Sequence, residues 1–187
     1  SICQYYNMVF SILIDGMHIA QIDPADLRKS IIYVPQDIHL FGGTIKQNIL
    51  GIHKFIDDEW MLECSKMSGT DEFVRMHPAG YDMPLGERGA GLSGGQRQSV
   101  GIARALINNS DIWMFDEPTN AMDQTSESIV LNNLMSKIEG KTLLLVTQKM
   151  SMVDLVDRII VMNFGTKVLD GPKDEIINKL GNSGEKQ

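Results

Sequence analysis

The segment whose residues are best suited to binding a ligand is Leu92–Gln96, which reads Leu-Ser-Gly-Gly-Gln. The adjacent Gly94 and Gly95 start a periodic helix, so backbone N–H groups are left accessible and the helix dipole adds partial positive charge. The hydroxyl of Ser93 adds a further donor. These groups predict a site for an anion such as phosphate. A single segment of this kind could equally be a glycine-rich turn that opens a surface helix, so a second motif has to decide.

A pair of carboxylates supplies that second motif, at the end of the apolar run Ile112–Glu117. Acids at the carboxyl end of a parallel strand lie where α/β folds bind ligands. Asp116 is predicted to hold Mg²⁺ through water, and Glu117 to polarise an attacking water molecule. The alternative for an isolated Asp-Glu pair is a solvated strand end.

These motifs must be positioned by the surrounding elements, and short apolar runs that alternate with helical periodicity predict a layered α/β fold. Two runs without polar alternation, 112–115 and 143–146, are typical of parallel strands covered on both faces. The predicted strands are Val9–Asp15, Ser30–Val34, Asp111–Asp116, Thr142–Thr147 and Arg158–Asn163. The predicted helices are Thr44–Leu50, Asp57–Met67, Gly94–Asn108, Thr125–Ile138 and Asp174–Leu180.

One stretch, 37–92, lacks a convincing buried strand and contains several helical pieces and chain breakers. We interpret it as a helical lobe, with the loop leading into Leu92–Gln96, inserted into an α/β core formed by residues 1–36 and 93–180. Residues 181–187 are predicted to be a polar tail.

In this order the motifs resemble those of the nucleotide-binding domain of ABC transporters, over roughly residues 12–180. Leu92–Gln96 resembles the LSGGQ sequence of that family, and Asp111–Glu117 resembles its Walker B strand with the catalytic glutamate. Tyr33–Asp37 resembles the Q-loop, and Asn120–Asp123 resembles the D-loop. The resemblance implies a truncated P-loop NTPase-like (ABC ATPase) parallel-sheet core with the inserted helical lobe.

The resemblance also implies cofactors, partners and site residues. Two such domains sandwich two ATP molecules head to tail, each with Mg²⁺, and they couple to a transmembrane domain. The implied catalytic residues are Glu117 and Gln148. The implied metal ligands are Asp116 and Gln36. The implied nucleotide-binding residues are Gln36, Ser93, Gly94, Gly95, Gln96 and Asp123.

Several loops resemble those of exporters in particular. They are Leu40–Ile49, Gly86–Gly89, Ala121–Asp123 and Asp170–Asp174, of which the last two resemble bacterial type I secretion exporters. The expected function is therefore ATP binding and hydrolysis that powers transmembrane transport of proteins or peptides. The expected location is the cytoplasmic face of the inner (plasma) membrane, through a membrane domain outside this chain. The alternative is a catalytically incompetent regulatory or interaction subunit that lends its LSGGQ face to a complete partner domain.

The sequence departs from the family pattern in two places. The P-loop, G-x-x-x-x-G-K-[ST], would precede Ile12–Gly16 and is not found there, and Gly140–Thr142 precedes a strand instead of following one, which predicts a turn. The switch histidine is replaced by Gln148, which cannot carry a proton charge near neutral pH. We therefore expect a fragment that is inactive alone. Without a P-loop strand, the runs Ile112–Phe115 and Leu143–Val146 are expected to lack neighbours.

Composition excludes other classes of protein. Seventeen basic against 24 acidic residues give a net charge of −7, which disfavours a nucleic-acid partner. Near the N-terminus the longest mainly apolar stretch is Met8–Ile14, well short of the ~20 residues of a membrane span. Cys3 and Cys64 are far apart, so the sequence predicts neither a disulfide framework nor a zinc site.

Overall fold

The computed structural model describes residues 11–53 and 55–184, with side chains as far as residue 181. Its strands are β1 Leu13–Ile14, β2 Met17–His18, β3 Ile31–Val34, β4 Gly43–Thr44, β5 Pro84–Leu85, β6 Ile112–Asp116, β7 Thr142–Val146, β8 Arg158–Asn163 and β9 Thr166–Pro172. Its α-helices are α1 Pro24–Ser30, α2 Ile45–Leu50, α3 Asp58–Met67, α4 Thr70–Val74, α5 Gly94–Leu106, α6 Gln124–Met135 and α7 Lys173–Gly184. The first predicted strand reduces to β1, and its residues Val9 and Phe10 lie outside the described residues, as do Cys3 and the end of the predicted tail.

The centre of the fold is a parallel sheet in the order β3-β6-β7, which confirms the predicted α/β class. The register pairs Val34 with Phe115 and Phe115 with Leu145, so the three carboxyl ends lie along one edge. Trp113 and Phe115 are buried on β6, and their rings stack with centroids 5.7 Å apart. This arrangement places whatever follows each strand at the same edge of the sheet.

The expected loss of neighbours is wrong for β6, and β7 has a neighbour on one side among the described residues. The strand β6 lies between β3 and β7, both of which this sequence supplies, so it is paired on each side. Within the part of the chain that the structure describes, β7 is the outer strand. The prediction from its apolar run that both of its faces are covered is wrong for these residues. Leu144 and Val146 are 53% and 55% exposed, while Leu143 and Leu145 pack against the core. An apolar run permits burial on both faces, but burial also requires a segment to pack there.

Residues 37–92 contain α2, α3, α4 and the short antiparallel pair β4–β5. The predicted helices begin one residue late, as α2 and α3, because Thr44 and Asp57 serve as their N-caps. Trp60 on α3 donates its indole N–H to the carbonyl of Ile107 at 3.1 Å, which ties this segment to the end of α5. No helix within the described ranges is long and apolar enough to cross a bilayer. The division into core and lobe stays a prediction.

The C-terminal part is an antiparallel hairpin, β8–β9, followed by α7. The predicted strand Arg158–Asn163 forms with those bounds, but it pairs with β9, which the sequence analysis missed. The hairpin turns through Phe164 and Gly165, both with positive φ, the conformation that two-residue hairpin loops favour. Asp170 on β9 bonds to Arg158 on β8 at 2.8 Å, which links the two strands, and to Lys167 on its own strand at 2.9 Å.

Candidate functional site

The start of α5 is fixed by a reciprocal capping box. The hydroxyl oxygen of Ser93 accepts the backbone N–H of Gln96 at 3.2 Å, and the Gln96 side-chain oxygen accepts the backbone N–H of Ser93 at 2.9 Å. These two bonds satisfy donors that a helix start would otherwise leave unpaired. The Ser93 side chain remains exposed, so its O–H can still donate to a ligand while its oxygen accepts.

Gly94 and Gly95 serve a second purpose that the sequence analysis did not foresee. A β-carbon on Gly94 would lie 3.0 Å from Cβ of Ala121, and one on Gly95 would lie 3.1 Å from the carbonyl oxygen of the same residue. The segment 120–122 therefore approaches the helix start more closely than side chains allow. This close approach brings the predicted D-loop next to the predicted phosphate site.

A cleft of about 260 Å³ lies where the segment 120–122 meets the start of α5. It is lined by residues from the start of α5, by Asp123 and by the first turn of α6, with Phe73 and Met76 contributing an apolar side. The predicted nucleotide-binding residues in it are Ser93, Gly95, Gln96 and Asp123. Polar donors on one wall and apolar side chains on another suit a ligand that combines phosphate with a less polar part.

Asp123 is the N-cap of α6 in this arrangement. Its carboxylate accepts the backbone N–H groups of Thr125 and Ser126, each at 3.0 Å, and the hydroxyl of Ser126 at 2.8 Å. The bonds from Ser126 are the main cause of the lowered pKa of the Asp123 carboxyl, so the group is held ionised. A structural function as a helix cap therefore accompanies the predicted binding function.

The second group of predicted residues collects at the carboxyl edge of the sheet. Glu117 follows β6 with a left-handed φ of 46°, and its backbone N–H donates to the carbonyl of Val146 at 2.9 Å. Its carboxylate accepts the backbone N–H of Gln148 at 2.9 Å and the hydroxyl of Thr147 at 3.3 Å. The structure thus brings the two predicted catalytic residues together, through the main chain of Gln148 and not through its side chain.

Gln36 lies apart from the first cleft, at the end of β3. It lines a second cleft of about 420 Å³ with Gly94 and Gln98, together with the basic side chains Arg88 and Arg97. Both clefts include Ala121, so the segment 120–122 separates them. The predicted nucleotide-binding residues are therefore distributed over two adjoining clefts.

The predicted metal ligands are Asp116 and Gln36, at the ends of the neighbouring strands β6 and β3. Neither side chain hydrogen-bonds to another described residue, so their oxygen atoms are available. Oxygen donors at one edge of a sheet match the preference of Mg²⁺, which usually keeps waters and phosphate oxygens as its other ligands. The described residues contain no group of three or more His, Cys, Asp or Glu side chains placed to hold a metal ion.

Gln98 is a positioning residue that the sequence analysis missed. It is 4% exposed on α5, donates to the carbonyl of Glu117 at 3.3 Å and accepts the backbone N–H of Ala121 at 2.8 Å. One side chain thereby links the helix, the end of β6 and the segment 120–122. The available signal was a glutamine placed among the small and apolar residues on the buried face of a periodic helix.

Comparison with known proteins supplies an independent measure of similarity. Residues 4–120 match the family model described as "ABC transporter". The chain is 41% identical over 166 residues to "Leukotoxin translocation ATP-binding protein LktB" of Mannheimia haemolytica and, at the same identity, to that of Bibersteinia trehalosi. These matches cover 89% of this chain and 23% of the relatives, so the chain spans about a quarter of their length.

A solved structure, "Structure of a bacterial Atm1-family ABC exporter with ATP bound", superimposes with a TM-score of 0.85 at 32% identity. The superposition covers 90% of this chain and 30% of the other. At this identity and score the likeness covers sequence as well as fold.

Proposed function

Since the chain belongs to the ABC transporter family, we propose that it is part of an ATP-binding and ATP-hydrolysing module that powers export across a membrane. The observation that supports this most directly is the cleft in which Ser93, Gly95, Gln96 and Asp123 meet. The family resemblance implied nucleotide binding for all four residues through two separate motifs, Leu92–Gln96 for the first three and Asn120–Asp123 for the fourth. A common cleft is what that assignment requires.

Two surfaces of the chain then act on two different nucleotides. The cleft at Ser93 faces ATP that is held by a second nucleotide-binding domain, with the hydroxyl and the start of α5 directed at its terminal phosphate. Asp116, Glu117 and Gln36 act on ATP held by the same module, at the carboxyl edge of the sheet. Each ATP is enclosed only when two domains associate, so hydrolysis depends on dimerisation.

Glu117 accepts a hydrogen bond from the attacking water, which orients the water and polarises its O–H bond. Its two acceptor bonds, from the Gln148 main chain and the Thr147 hydroxyl, fix where the carboxylate points. Asp116 and Gln36 would hold Mg²⁺, which neutralises charge on the phosphates when bound. Gln148 can donate a hydrogen bond to a phosphate but cannot carry a proton, so we propose slower turnover than a histidine would give.

The proposed partners are a second nucleotide-binding domain and the transmembrane domain of an exporter, at the cytoplasmic face of the inner membrane. The relatives named for leukotoxin translocation support a protein as the exported substrate. The acidic balance of the chain argues against nucleic acid as a partner.

The second candidate function is a subunit that lends its LSGGQ face to a complete domain without hydrolysing ATP itself. The observation that favours it is the contrast between a fully formed capping box at Ser93 and the glutamine at the switch position, Gln148. Under this proposal the chain closes the partner's site, and its own carboxylates are not used.

Binding of Mg²⁺-ATP tests the trans arrangement that both candidates share. The chain is titrated alone and mixed with a complete nucleotide-binding domain, by calorimetry. We expect affinity to rise on mixing, because the cleft at Ser93 adds contacts to the terminal phosphate. Ser93→Arg should abolish the rise, while Ser136→Arg at the exposed far end of α6 should retain it. An equal rise with Ser93→Arg would refute the trans arrangement in both candidates.

Turnover is then measured in the assembled exporter. Glu117→Gln should reduce ATP hydrolysis by at least about a hundredfold if the chain is catalytic, which is the scale of a lost general base. Unchanged hydrolysis in Glu117→Gln, with the Ser93→Arg result as expected, would favour the lending subunit.

A further inference from the structure

The described residues include two buried carboxylates that the proposed function has not used, Asp71 and Glu127, and Glu127 is the one linked to the candidate site. Glu127, in the first turn of α6, is 6% exposed. Its carboxylate accepts hydrogen bonds from the Thr119 hydroxyl at 3.0 Å, the Lys149 ammonium and the Ser151 hydroxyl. Four side chains from three separate stretches of the chain therefore converge on one point beneath the surface.

Lys149 extends the network towards the candidate site. Its ammonium also donates to the carbonyl of Thr119 at 2.8 Å, and its backbone N–H donates to the hydroxyl oxygen of Thr147 at 3.0 Å. The Thr147 hydroxyl in turn donates to Glu117 at 3.3 Å. A continuous path of bonds therefore runs from α6, through the segment after β7, to the carboxylate predicted to be catalytic.

The energetics make this network a rigid tie. Burial acts to raise the pKa of the Glu127 carboxyl, but hydrogen bonds from Lys149, Ser151 and Thr119 outweigh it and lower the pKa. The carboxylate is thus charged, and protein donors take the place of water as its hydrogen-bond partners. Removing one member of such a buried pair leaves a charge without compensation, so the pair holds its geometry strongly.

The Glu127–Lys149 pair holds the segment 147–151, which carries the N–H that bonds to Glu117. Residues 147–151 leave the sheet at the outer strand β7, which has a neighbour on one side only among the described residues. Gln148 is exposed. Among the described residues, its main-chain N–H donates a hydrogen bond to Glu117 alone. The buried Met152 anchors the residues that follow, and the Glu127–Lys149 pair anchors the segment itself. Loss of that pair would loosen the Gln148 N–H that holds the Glu117 carboxylate.

We propose that Glu127 is a positioning residue for ATP hydrolysis: with Lys149 it clamps the segment 147–151 so that the Gln148 N–H holds the Glu117 carboxylate in place. The proposal rests on the proposed function for its relevance to catalysis. Its geometric content, that Glu127 sets the Gln148–Glu117 contact, can be tested without nucleotide. The backbone N–H of Glu127 donates to the carbonyl of Asp123 within α6, but its side chain bonds to no predicted nucleotide-binding residue. The effect of that side chain on the reaction therefore passes through Lys149 and Gln148.

The first experiment measures amide hydrogen exchange of the full chain, residue by residue, by NMR. Glu127→Gln should speed exchange at Gln148 by about tenfold or more, because the neutral amide no longer pairs with Lys149. The matched control is Glu139→Gln, which changes the charge by the same amount at an exposed position and should stay within about twofold of wild type. Lys149→Arg keeps the charge pair and should leave exchange close to wild type.

A milder variant covers the case in which Glu127→Gln does not fold. Ser151→Ala removes one donor to the carboxylate and leaves the ion pair, so exchange at Gln148 should rise by about threefold. If a folded Glu127→Gln, or failing that Ser151→Ala, exchanges at Gln148 within error of wild type, the clamp does not exist and the proposal is overturned.

The second experiment measures ATP turnover in the assembled exporter. Glu127→Gln should lower kcat by about tenfold and leave KM for ATP within about twofold, since no contact to nucleotide is removed. Faster exchange with an unchanged kcat would overturn the positioning role. If the wild-type assembly hydrolyses no ATP, the proposed function fails, and the exchange experiment still decides whether Glu127 holds Gln148 and Glu117 together.

Discussion

Gly101, in the middle of α5, lies against Ile38, and enlarging it offers a sensitive test of how tightly the residues after β3 pack on this helix. A β-carbon at Gly101 would lie 2.6 Å from Cδ1, 2.7 Å from Cγ2 and 2.8 Å from Cγ1 of Ile38. Ile38 follows the predicted Q-loop residue Gln36 by two positions. Gly101→Ala therefore forces the helix and the segment that carries Gln36 apart.

The size of the effect follows from two opposed contributions. Alanine is favoured over glycine in a helix interior by about 1 kcal/mol. Overpacking a core contact costs about 1–3 kcal/mol. The overpacking cost at Gly101 should lie at the upper end of that range. Both Cγ1 and Cγ2 of Ile38 are attached to the branched β-carbon, so they cannot rotate away from the new methyl independently. We expect a net loss of about 1–2 kcal/mol, or about 2–8 °C in Tm for a chain of this length.

The assay is thermal and urea unfolding of wild type, Gly101→Ala, Ile38→Ala and the double variant. Ile38→Ala removes all three overlapping atoms, so the double variant should lose less stability than the two single losses added together, by the overlap cost of about 2–3 kcal/mol. The matched control is Gly181→Ala in α7, a helical position with nothing within 4 Å of the new methyl. It should be neutral or stabilising by up to about 1 kcal/mol.

Two results would refute the reasoning. If Gly101→Ala is as stable as Gly181→Ala, the contact with Ile38 does not limit the helix. If the losses in the double variant simply add, the overlap is relieved elsewhere, and the segment after β3 does not lean on α5 at this point.

Three further predictions concern single side chains. Gln148→His should raise ATP turnover of the assembled exporter by at least about tenfold, as a charged imidazole becomes available near the terminal phosphate; no gain in steady-state rate would contradict that assignment. Hydrogen bonds from Arg158 and Lys167 lower the pKa of Asp170 to about 2, from an ordinary 3.8. A carboxyl whose pKa is lower in the folded than in the unfolded state stabilises the fold at pH values above its unfolded-state pKa. The difference in free energy of unfolding between wild type and Asp170→Asn should therefore be complete at pH 6 and disappear between about pH 4 and pH 2. A difference that persists at pH 2 in urea titrations would show that ionisation of Asp170 is not its cause. Burial raises the pKa of the Cys64 thiol to about 12, so maleimide should label the Cys64 peptide at least about a hundredfold more slowly in the folded chain than in urea, by mass spectrometry; equal rates would mean that the site opens readily.

The sequence was sufficient for features in which local pattern and tertiary placement agree. The apolar run before Asp116 and Glu117 formed a buried parallel strand, since no polar residue interrupts it and both neighbouring strands were present in the chain. Ser93 could be read as a helix start because a cap and its reciprocal partner, Gln96, are three residues apart. The fold class followed from these elements and their order.

Features that depend on contacts between distant residues were not predicted. The exposed strand β9 has no clean alternation of its own and is defined by pairing with β8 through the turn at Phe164 and Gly165. Glu127 looks like an ordinary polar residue in the first turn of a helix, and only the approach of Lys149 reveals that it is buried. Helix α1 carried a visible signal, a capping Asp23 before proline, but its seven residues are too short to show periodicity.

The open edge of β7 has a consequence for handling the chain in solution. From Thr142 to Val146 one row of backbone donors and acceptors has no partner strand among the described residues, and two adjacent aliphatic side chains are half exposed on the same strand. A strand of that kind is a template for lateral addition of another. The hydrodynamic radius of the purified chain should therefore grow with concentration and fall again on dilution, and one lysine in place of Val146 should hold it monodisperse.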